Sequence, residues 1–191
     1  MGEDLYQLHV SLIDAMPAIW RRLLVRSNTS LRYLHYLLQG AMGWTDSHLY
    51  EYEVGRDRFG EPDEDAPASL KPAADFTLGQ VAPRVGAKFI YVYDFGDEWN
   101  HAIEVEAITP AQAGQRYPVC VDGARSCPPE DFGGAFAYSA WLRAMESGKD
   151  IDLDALEEYP GFDFDPDKFS VDTATRHMRR VESNARYRTW G

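Results

Sequence analysis

Two strand-like segments joined by a short turn constrain the fold of this chain more than any other feature. Residues 88–94 and 99–108 are rich in the β-branched and aromatic side chains that strands favour, and Gly96 and Asp97 between them are residue types that tight turns favour. The pattern predicts a β-hairpin, so the sheet that contains it has at least one antiparallel pair of strands.

The predicted register of this hairpin brings chemically active side chains together. A loop of two or four residues would place Asp94 opposite Trp99 and Val92 opposite His101. Asp94 and His101 would then be diagonal neighbours on a mostly apolar face, within reach of each other. Two interpretations stay open. Either the carboxylate orients the imidazole as a general base or metal ligand, or the two groups only satisfy each other's hydrogen bonds.

The rest of the chain predicts further strands and then helices. Residues 55–75 are rich in Gly, Pro, Asp and Ala, and they are expected to be irregular, as are residues 110–133. Because antiparallel neighbours dominate, the fold class is α+β: a mainly antiparallel sheet of about five strands with helices packed on one face. The chain is expected to form a single domain, 1–191, in which 182–191 is a flexible tail. Besides the hairpin, strands are predicted at 5–13, 19–25 and 48–54, and helices at 31–42, 136–145 and 171–181.

The charge of the chain limits its partners. A net charge of −12 argues against non-specific nucleic-acid binding, which depends on Lys and Arg side chains that neutralise phosphates. The basic last helix leaves one route to nucleic acid, although its arginines are expected rather to pair with the acidic segment 145–170. No stretch approaches the about 20 apolar residues of a membrane span, and the alternating N-terminus is unlike a signal peptide, so a cytoplasmic protein is expected. The arginines of the basic last helix mentioned above are Arg176, Arg179, Arg180, Arg186 and Arg188.

Two cysteines flank a second chemically suggestive stretch, CVDGARSCPPEDFGG. Six residues separate Cys120 from Cys127, whereas zinc sites more often use pairs two to four residues apart. Reduced thiols in a structured loop are the simplest interpretation, and a disulfide in an oxidising environment is the alternative. A zinc site would need His or carboxylate ligands from elsewhere in the chain.

Four separated motifs carry a family resemblance: IWRR after a strand, MGW followed by SHLYEY, YDFGDEWNH, and CPPEDFGG. In this order they resemble the plasmid pRiA4b ORF-3-like family, some of whose members are labelled insertion-element passenger or TnpR-like proteins. The resemblance implies a functionally uncharacterised accessory protein associated with plasmids and transposons. Asn100 departs from the acidic residue expected at its position, so an acidic ligand there would not be essential. The motif positions are Trp44, His48, Asp94, Gly96, Asp97, Trp99, His101, Cys120, Cys127, Pro128, Pro129, Glu130, Asp131, Gly133 and Gly134.

Two functional hypotheses follow from these residues. The first is a non-enzymatic binding module without a cofactor, whose pocket on the sheet receives a protein, a peptide or a small molecule. The alternative is a metal-dependent hydrolase or nuclease, in which a divalent ion such as zinc activates water. The pocket candidates are His48, Tyr50, Asp94, Trp99, His101, Glu130 and Asp131, and the alternative metal ligands are His101, Asp94, Cys120, Cys127 and Glu130.

Overall fold

A computed structural model describes residues 4–63, 66–147 and 164–188 of the chain, with side chains placed through Val181. Eight strands in these residues form one mixed sheet. The strands are β1 (Asp4–Leu12), β2 (Trp20–Arg26), β3 (Tyr50–Val54), β4 (Asp57–Gly60), β5 (Leu70–Pro72), β6 (Lys88–Tyr93), β7 (Trp99–Pro110) and β8 (Val119–Ala124).

The strands lie in the order β5-β4-β3-β6-β7-β1-β2-β8. Among the described strands, β4 and β5 are the parallel pair, and every other pair of neighbours is antiparallel. The helices of the described residues are α1 (Leu31–Met42), α2 (Leu78–Val81), α3 (Gly134–Ser147) and α4 (Val171–Arg188), with a 3-10 turn at Ala73–Asp75.

The predicted α+β class is confirmed, but the expected number of about five strands is wrong. The short strands β4 and β5 lie in the segment 55–75, and β8 lies in the segment 110–133, both of which were expected to be irregular. β5 and β8 are the edges of the sheet, and a strand as short as β5, ending in Pro72, suits only an edge. Such strands lack the long alternation that makes central strands visible in a sequence.

One face of the central strands is buried. On β7 the side chains of Trp99, His101, Ile103 and Val105 are buried, and the intervening ones are partly exposed. The buried side chains of the sheet and the apolar side of α1 belong to one continuous core. Burial of this face therefore fixes the register of each strand, since a slip of one residue would turn the apolar side chains outward.

Helix α1 is capped at both ends by the residues that flank it. The Ser30 hydroxyl accepts the amide of Tyr33, and Gly43 ends the helix in the left-handed conformation, with its N–H bonded to Gln39 O. Against this helix packs α4, so closely that a Cβ on Gly40 would lie 2.7–2.9 Å from backbone atoms of His177 and Met178. A glycine at position 40 is therefore required for this helix contact.

Helix α4 extends through Arg188 and so includes residues 182–188, which were expected to lie in a flexible tail. Residues 189–191 lie outside the described residues, as does the part of the acidic segment from 148 to 163. The described helices include none that is long and apolar enough to cross a membrane.

Candidate functional site

The hairpin of β6 and β7 has a five-residue turn, 94–98, instead of the predicted two or four residues. Tyr93 pairs with Trp99 and Tyr91 pairs with His101. Compared with a turn of two or four residues, a turn of five residues directs the opposite face of β6 toward the core. The side chains of Tyr91 and Tyr93 are therefore buried in place of Val92. The predicted pairing of Asp94 with Trp99 and of Val92 with His101 is therefore wrong.

Asp94 begins the turn and organises it. Its backbone is left-handed, with φ 57°, a conformation that Asp tolerates better than most residues. Its Oδ1 atom accepts the amides of Gly96 (2.9 Å) and Asp97 (3.4 Å). The other carboxylate oxygen, Oδ2, is directed toward His48, whose Nε2 atom lies 3.6 Å away.

His48 lies on the segment 44–49 between α1 and β3. The hydroxyl of Tyr93 accepts the backbone amides of Ser47 (2.9 Å) and His48 (3.2 Å) and so fixes this segment to the end of β6. Because β3, β6 and β7 are antiparallel neighbours, the segment 44–49 and the turn 94–98 meet at the same end of the sheet.

A buried polar network holds the start of the same segment. The His35 imidazole lies 2.8 Å from the Tyr91 hydroxyl through Nδ1 and 2.7 Å from Asp46 through Nε2. Gln39 donates to the Tyr91 hydroxyl and accepts the amide of Asp46. Burial lowers the pKa of His35, with the Asp46 carboxylate opposing that shift. This network ties α1, β6 and the segment 44–49 into one rigid support.

The loop 127–134, which contains CPPEDFGG, is the third component. The indole N–H of Trp44 donates to Pro128 O (2.8 Å), and that of Trp99 donates to Glu130 O (2.7 Å). The Gly133 amide donates to Asp97 of the hairpin turn (2.8 Å). These bonds hold the loop against both the segment 44–49 and the turn 94–98.

Three potential ligand atoms converge where these segments meet. His48 Nε2 lies 2.8 Å from Asp131 Oδ1 and 3.6 Å from Asp94 Oδ2, and all three atoms lie within 4.8 Å of one another. The side chains are 31%, 55% and 12% exposed in that order. In the part of the chain that the structure describes, this is the group of His, Cys, Asp and Glu side chains whose spacing suits a metal ion.

Glu130 lies beside this group but is held by other partners. It accepts hydrogen bonds from the hydroxyls of Tyr93 and Thr45, one on each carboxylate oxygen. Burial raises the pKa of Tyr93, and the Glu130 carboxylate raises it further, so this phenol stays protonated and donates. Glu130 therefore braces the site.

His101, by contrast, is enclosed by aromatic rings and lies away from Asp94. Its ring centroid is 5.3 Å from those of both Trp44 and Tyr91. Its Nδ1 atom lies 2.9 Å from Trp99 O, and because a carbonyl only accepts, Nδ1 carries the proton. Burial lowers the pKa of His101 to about 4. The predicted Asp94–His101 pair is wrong, since the structure brings Asp94 to His48.

Two other predicted pocket residues, Tyr50 and Trp99, also belong to the core. Trp99 is fully buried, and Tyr50 stacks on His35 with ring centroids 3.7 Å apart. The structure therefore brings together His48, Asp94, Glu130 and Asp131, and it places Tyr50, Trp99 and His101 in the core.

The cysteines do not join the site. Both thiols are free, Cys120 is buried, and Cys127 is partly buried. Burial raises the pKa of both thiols, that of Cys127 to about 12, so both thiols are protonated near neutral pH. In the described residues, Cys120 and Cys127 are not part of any group that could hold a metal with Asp94, His101 and Glu130.

Sequence reasoning missed Thr45, Tyr93 and the bracing role of Asp97. Tyr93 was hidden by the predicted turn length, which assigned its side chain to the opposite face. The expectation that the net charge opposes nucleic-acid binding, with the Arg-rich α4 as the one possible route, stays untested. Its Arg179 guanidinium donates to the carbonyls of Arg116 and Pro118.

The fold and the site define an α+β protein with one mixed sheet and a polar site built by three connecting segments at one end of it. The model of the family described as plasmid pRiA4b ORF-3-like protein matches residues 4–173, and the chain belongs to that family.

Two relatives of unknown function show the same similarity. The chain is 39% identical over 146 residues to the uncharacterised protein y4hQ of Sinorhizobium fredii. The aligned region covers 76% of this chain and 75% of that protein. The crystal structure of a protein of unknown function from Methanosarcina mazei Go1 is similar with a TM-score of 0.74 and 33% identity. That similarity covers 91% of this chain and 97% of the archaeal chain.

Proposed function

We propose that this protein is a binding module that holds a divalent metal ion through His48, Asp94 and Asp131. The observation that carries the proposal is the convergence of three ligand atoms, from three separate segments, within 4.8 Å. One imidazole and two carboxylates form a donor set that suits zinc or manganese.

The geometry needs only small side-chain movements to bind such an ion. Metal–ligand bonds of about 2.0–2.2 Å place neighbouring ligand atoms about 3–3.5 Å apart. The two distances from His48 Nε2, 2.8 Å to Asp131 and 3.6 Å to Asp94, bracket that range. The backbone around the ligands is fixed by Tyr93 and by the two indole donors, so binding does not require the loops to be ordered first.

The exposure of the site supports a role in binding. Asp131 is more than half exposed, so an ion held here would face solvent on that side. A carboxylate or phosphate of a partner molecule would complete the coordination of such an ion. In this proposal the metal replaces the cofactor-free pocket on the sheet, because Tyr50, Trp99 and His101 are core residues.

Metal-assisted hydrolysis is a second candidate function, favoured by the number of protein ligands. Catalytic zinc sites keep three protein ligands and an open position for water, whereas structural zinc sites use four. His48, Asp94 and Asp131 provide three, with His48 in the place expected for His101 and without cysteine.

Zinc or manganese titration tests the proposal. Calorimetry of the chelator-treated protein is expected to show one ion bound per chain. Free ion at about 100 times its dissociation constant is expected to raise the free energy of unfolding by about 2.7 kcal/mol. Asp94→Asn, which keeps the left-handed backbone and the Oδ1 acceptor, and His48→Ala are each expected to remove this stabilisation.

The matched control is His177→Ala, which removes an exposed imidazole from α4 and is expected to leave ion binding unchanged. Equal ion binding by the wild type and both site variants would overturn the metal centre. The same samples, mixed with an activated phosphodiester, separate the two functions. Turnover that disappears in Asp94→Asn supports the hydrolase, and ion binding without turnover supports the binding module.

A further inference from the structure

Exposed apolar side chains gather at the end of the sheet that carries the His48 site. They lie on three connections, 13–19, 44–49 and 94–98, and on the first turn of α3. A group of exposed apolar side chains is typical of a surface that meets another molecule. The four side chains, each 51–80% exposed, are Met16, Leu49, Phe95 and Phe136, and together they are called the apolar surface below.

Hydrogen bonds bring three of these side chains to one place. The Asp94 amide donates to Leu49 O (2.9 Å), so Leu49 lies beside the turn that carries Phe95. The Gly133 amide donates to the carboxylate of Asp97 in the same turn (2.8 Å). This bond holds the start of α3, and with it the exposed ring at position 136, against the turn 94–98.

The connection 13–19 adds the fourth side chain. The Met16 amide donates to the Ser139 hydroxyl (3.0 Å), and that hydroxyl donates to Asp14 O (3.3 Å). Phe136 and Ser139 are three residues apart on α3, so they are neighbours on the surface of the helix. Met16 therefore lies near Phe136, and the apolar surface extends across this end of the sheet.

The charge around the apolar surface is negative. The connections 13–19, 44–49 and 94–98 and the segment 128–136 contain seven carboxylates and no Lys or Arg. Four of these carboxylates, those of Asp14, Asp97, Glu98 and Asp131, are exposed or partly exposed, and in the described residues none of the four pairs with Lys or Arg. The apolar surface therefore suits a partner that offers Lys or Arg next to apolar side chains.

A second copy of the chain would fit this surface poorly. Two copies meeting here would bring the same carboxylates face to face, and like charges across an interface repel each other. We infer that the apolar surface binds a segment of another protein in which Arg or Lys alternates with large apolar residues. This inference goes beyond the proposed function, because it needs no bound ion.

Fluorescence anisotropy with labelled peptides of about ten residues tests the inference, with chelator present so that no metal ion takes part. A peptide that alternates Arg with Leu is expected to bind. Peptides that alternate Arg with Ser, or Glu with Leu, are expected to bind at least about tenfold more weakly. Phe95→Ala and Phe136→Ala are each expected to weaken the Arg–Leu peptide about tenfold, because aromatic side chains contribute strongly to interfaces.

Matched control variants change similar side chains elsewhere. Val85→Ala removes an exposed apolar side chain just before β6, at the opposite end of the sheet, and is expected to leave the affinity unchanged. Glu98→Gln is expected to weaken the Arg–Leu peptide about threefold at low salt and less at high salt. Glu53→Gln, which changes an exposed carboxylate on β3, is expected to have no such effect.

Several results would overturn the inference. They are equal binding of all three peptides, no binding of the Arg–Leu peptide, and unchanged binding in both Phe variants. Sedimentation that shows a wild-type dimer, dissociated by Phe136→Ala, would assign the surface to a second copy and overturn it as well. Because chelator is present, failure of the metal centre would not alter these results, so the two proposals succeed or fail separately.

Discussion

His48 and His101 belong to the same end of the sheet, yet their surroundings are opposite. His48 is 31% exposed and lies within 4 Å of two carboxylates, whereas His101 is fully buried among aromatic rings. Solvent and neighbouring carboxylates make an imidazole available for ligation, and burial among rings makes it a neutral part of the core. The difference shows that residue type and position in a motif do not by themselves identify the histidine that is accessible to a ligand.

Truncation of Trp99 tests the buried surroundings of His101, and it is expected to have the largest effect on the free energy of unfolding. Trp99→Ala leaves a cavity beside His101 and removes the indole donor to Glu130 O, so we expect a loss of about 3–5 kcal/mol in the free energy of unfolding. Urea unfolding measures it. Phe95→Ala, in the turn and 51% exposed, is the control and should change stability by no more than about 0.5 kcal/mol. Similar small losses in both variants would show that this face is a pocket and not core.

The stability of the protein as a function of pH sharpens the comparison. Below pH 6.5 the unfolded His101 binds a proton that the folded imidazole does not accept until about pH 4. Protonation therefore favours the unfolded chain, and stability that is fully present above pH 6.5 is lost as the pH falls toward 4. We expect the loss from His101 alone to reach about 3 kcal/mol.

Urea unfolding at a series of pH values checks this expectation. His101→Gln should reduce the slope of the free energy of unfolding against pH. The slope that remains in this variant should come from His35, whose pKa is also lowered by burial. His177→Gln, which removes an exposed imidazole, should behave like the wild type. If His101→Gln retained the full slope, the neutral, enclosed state of His101 would be wrong.

The substitution with the smallest expected effect, Tyr93→Phe, tests whether the Tyr93 hydroxyl positions the segment that carries His48. Tyr93→Phe removes the hydroxyl that accepts the amides of Ser47 and His48 and donates to Glu130. We expect a loss of about 1–2 kcal/mol in the free energy of unfolding, because these groups lose their partner. Tyr52→Phe is a matched control, since the Tyr52 hydroxyl is buried with no hydrogen-bond partner among the described residues, and it should cost nothing. An equal response of both variants would mean that Tyr93 fills space without positioning His48.

The sequence predicted the central strands, α1 and the residues of the hairpin, because long alternation and helical spacing mark them. It did not predict β4 and β5, which have only four and three residues, or β8, whose buried and exposed positions do not alternate. His48, Asp94, Glu130 and Asp131 were all among the predicted pocket residues. Their partners were assigned wrongly, because Gly96 and Asp97 indicate a turn without indicating that Asp94, with its positive φ, also belongs to it.

The five-residue turn has a consequence for how this hairpin tolerates change in length. Adding or removing one residue would rotate the inward side chains of β6 to solvent, taking Tyr91 and Tyr93 from their partners and bringing Ile90 and Val92 inside. Adding two residues would restore the same faces and only lengthen the tip. Insertions in this hairpin therefore obey a parity rule: even changes in turn length preserve the inward tyrosines, and odd changes exchange them for aliphatic side chains.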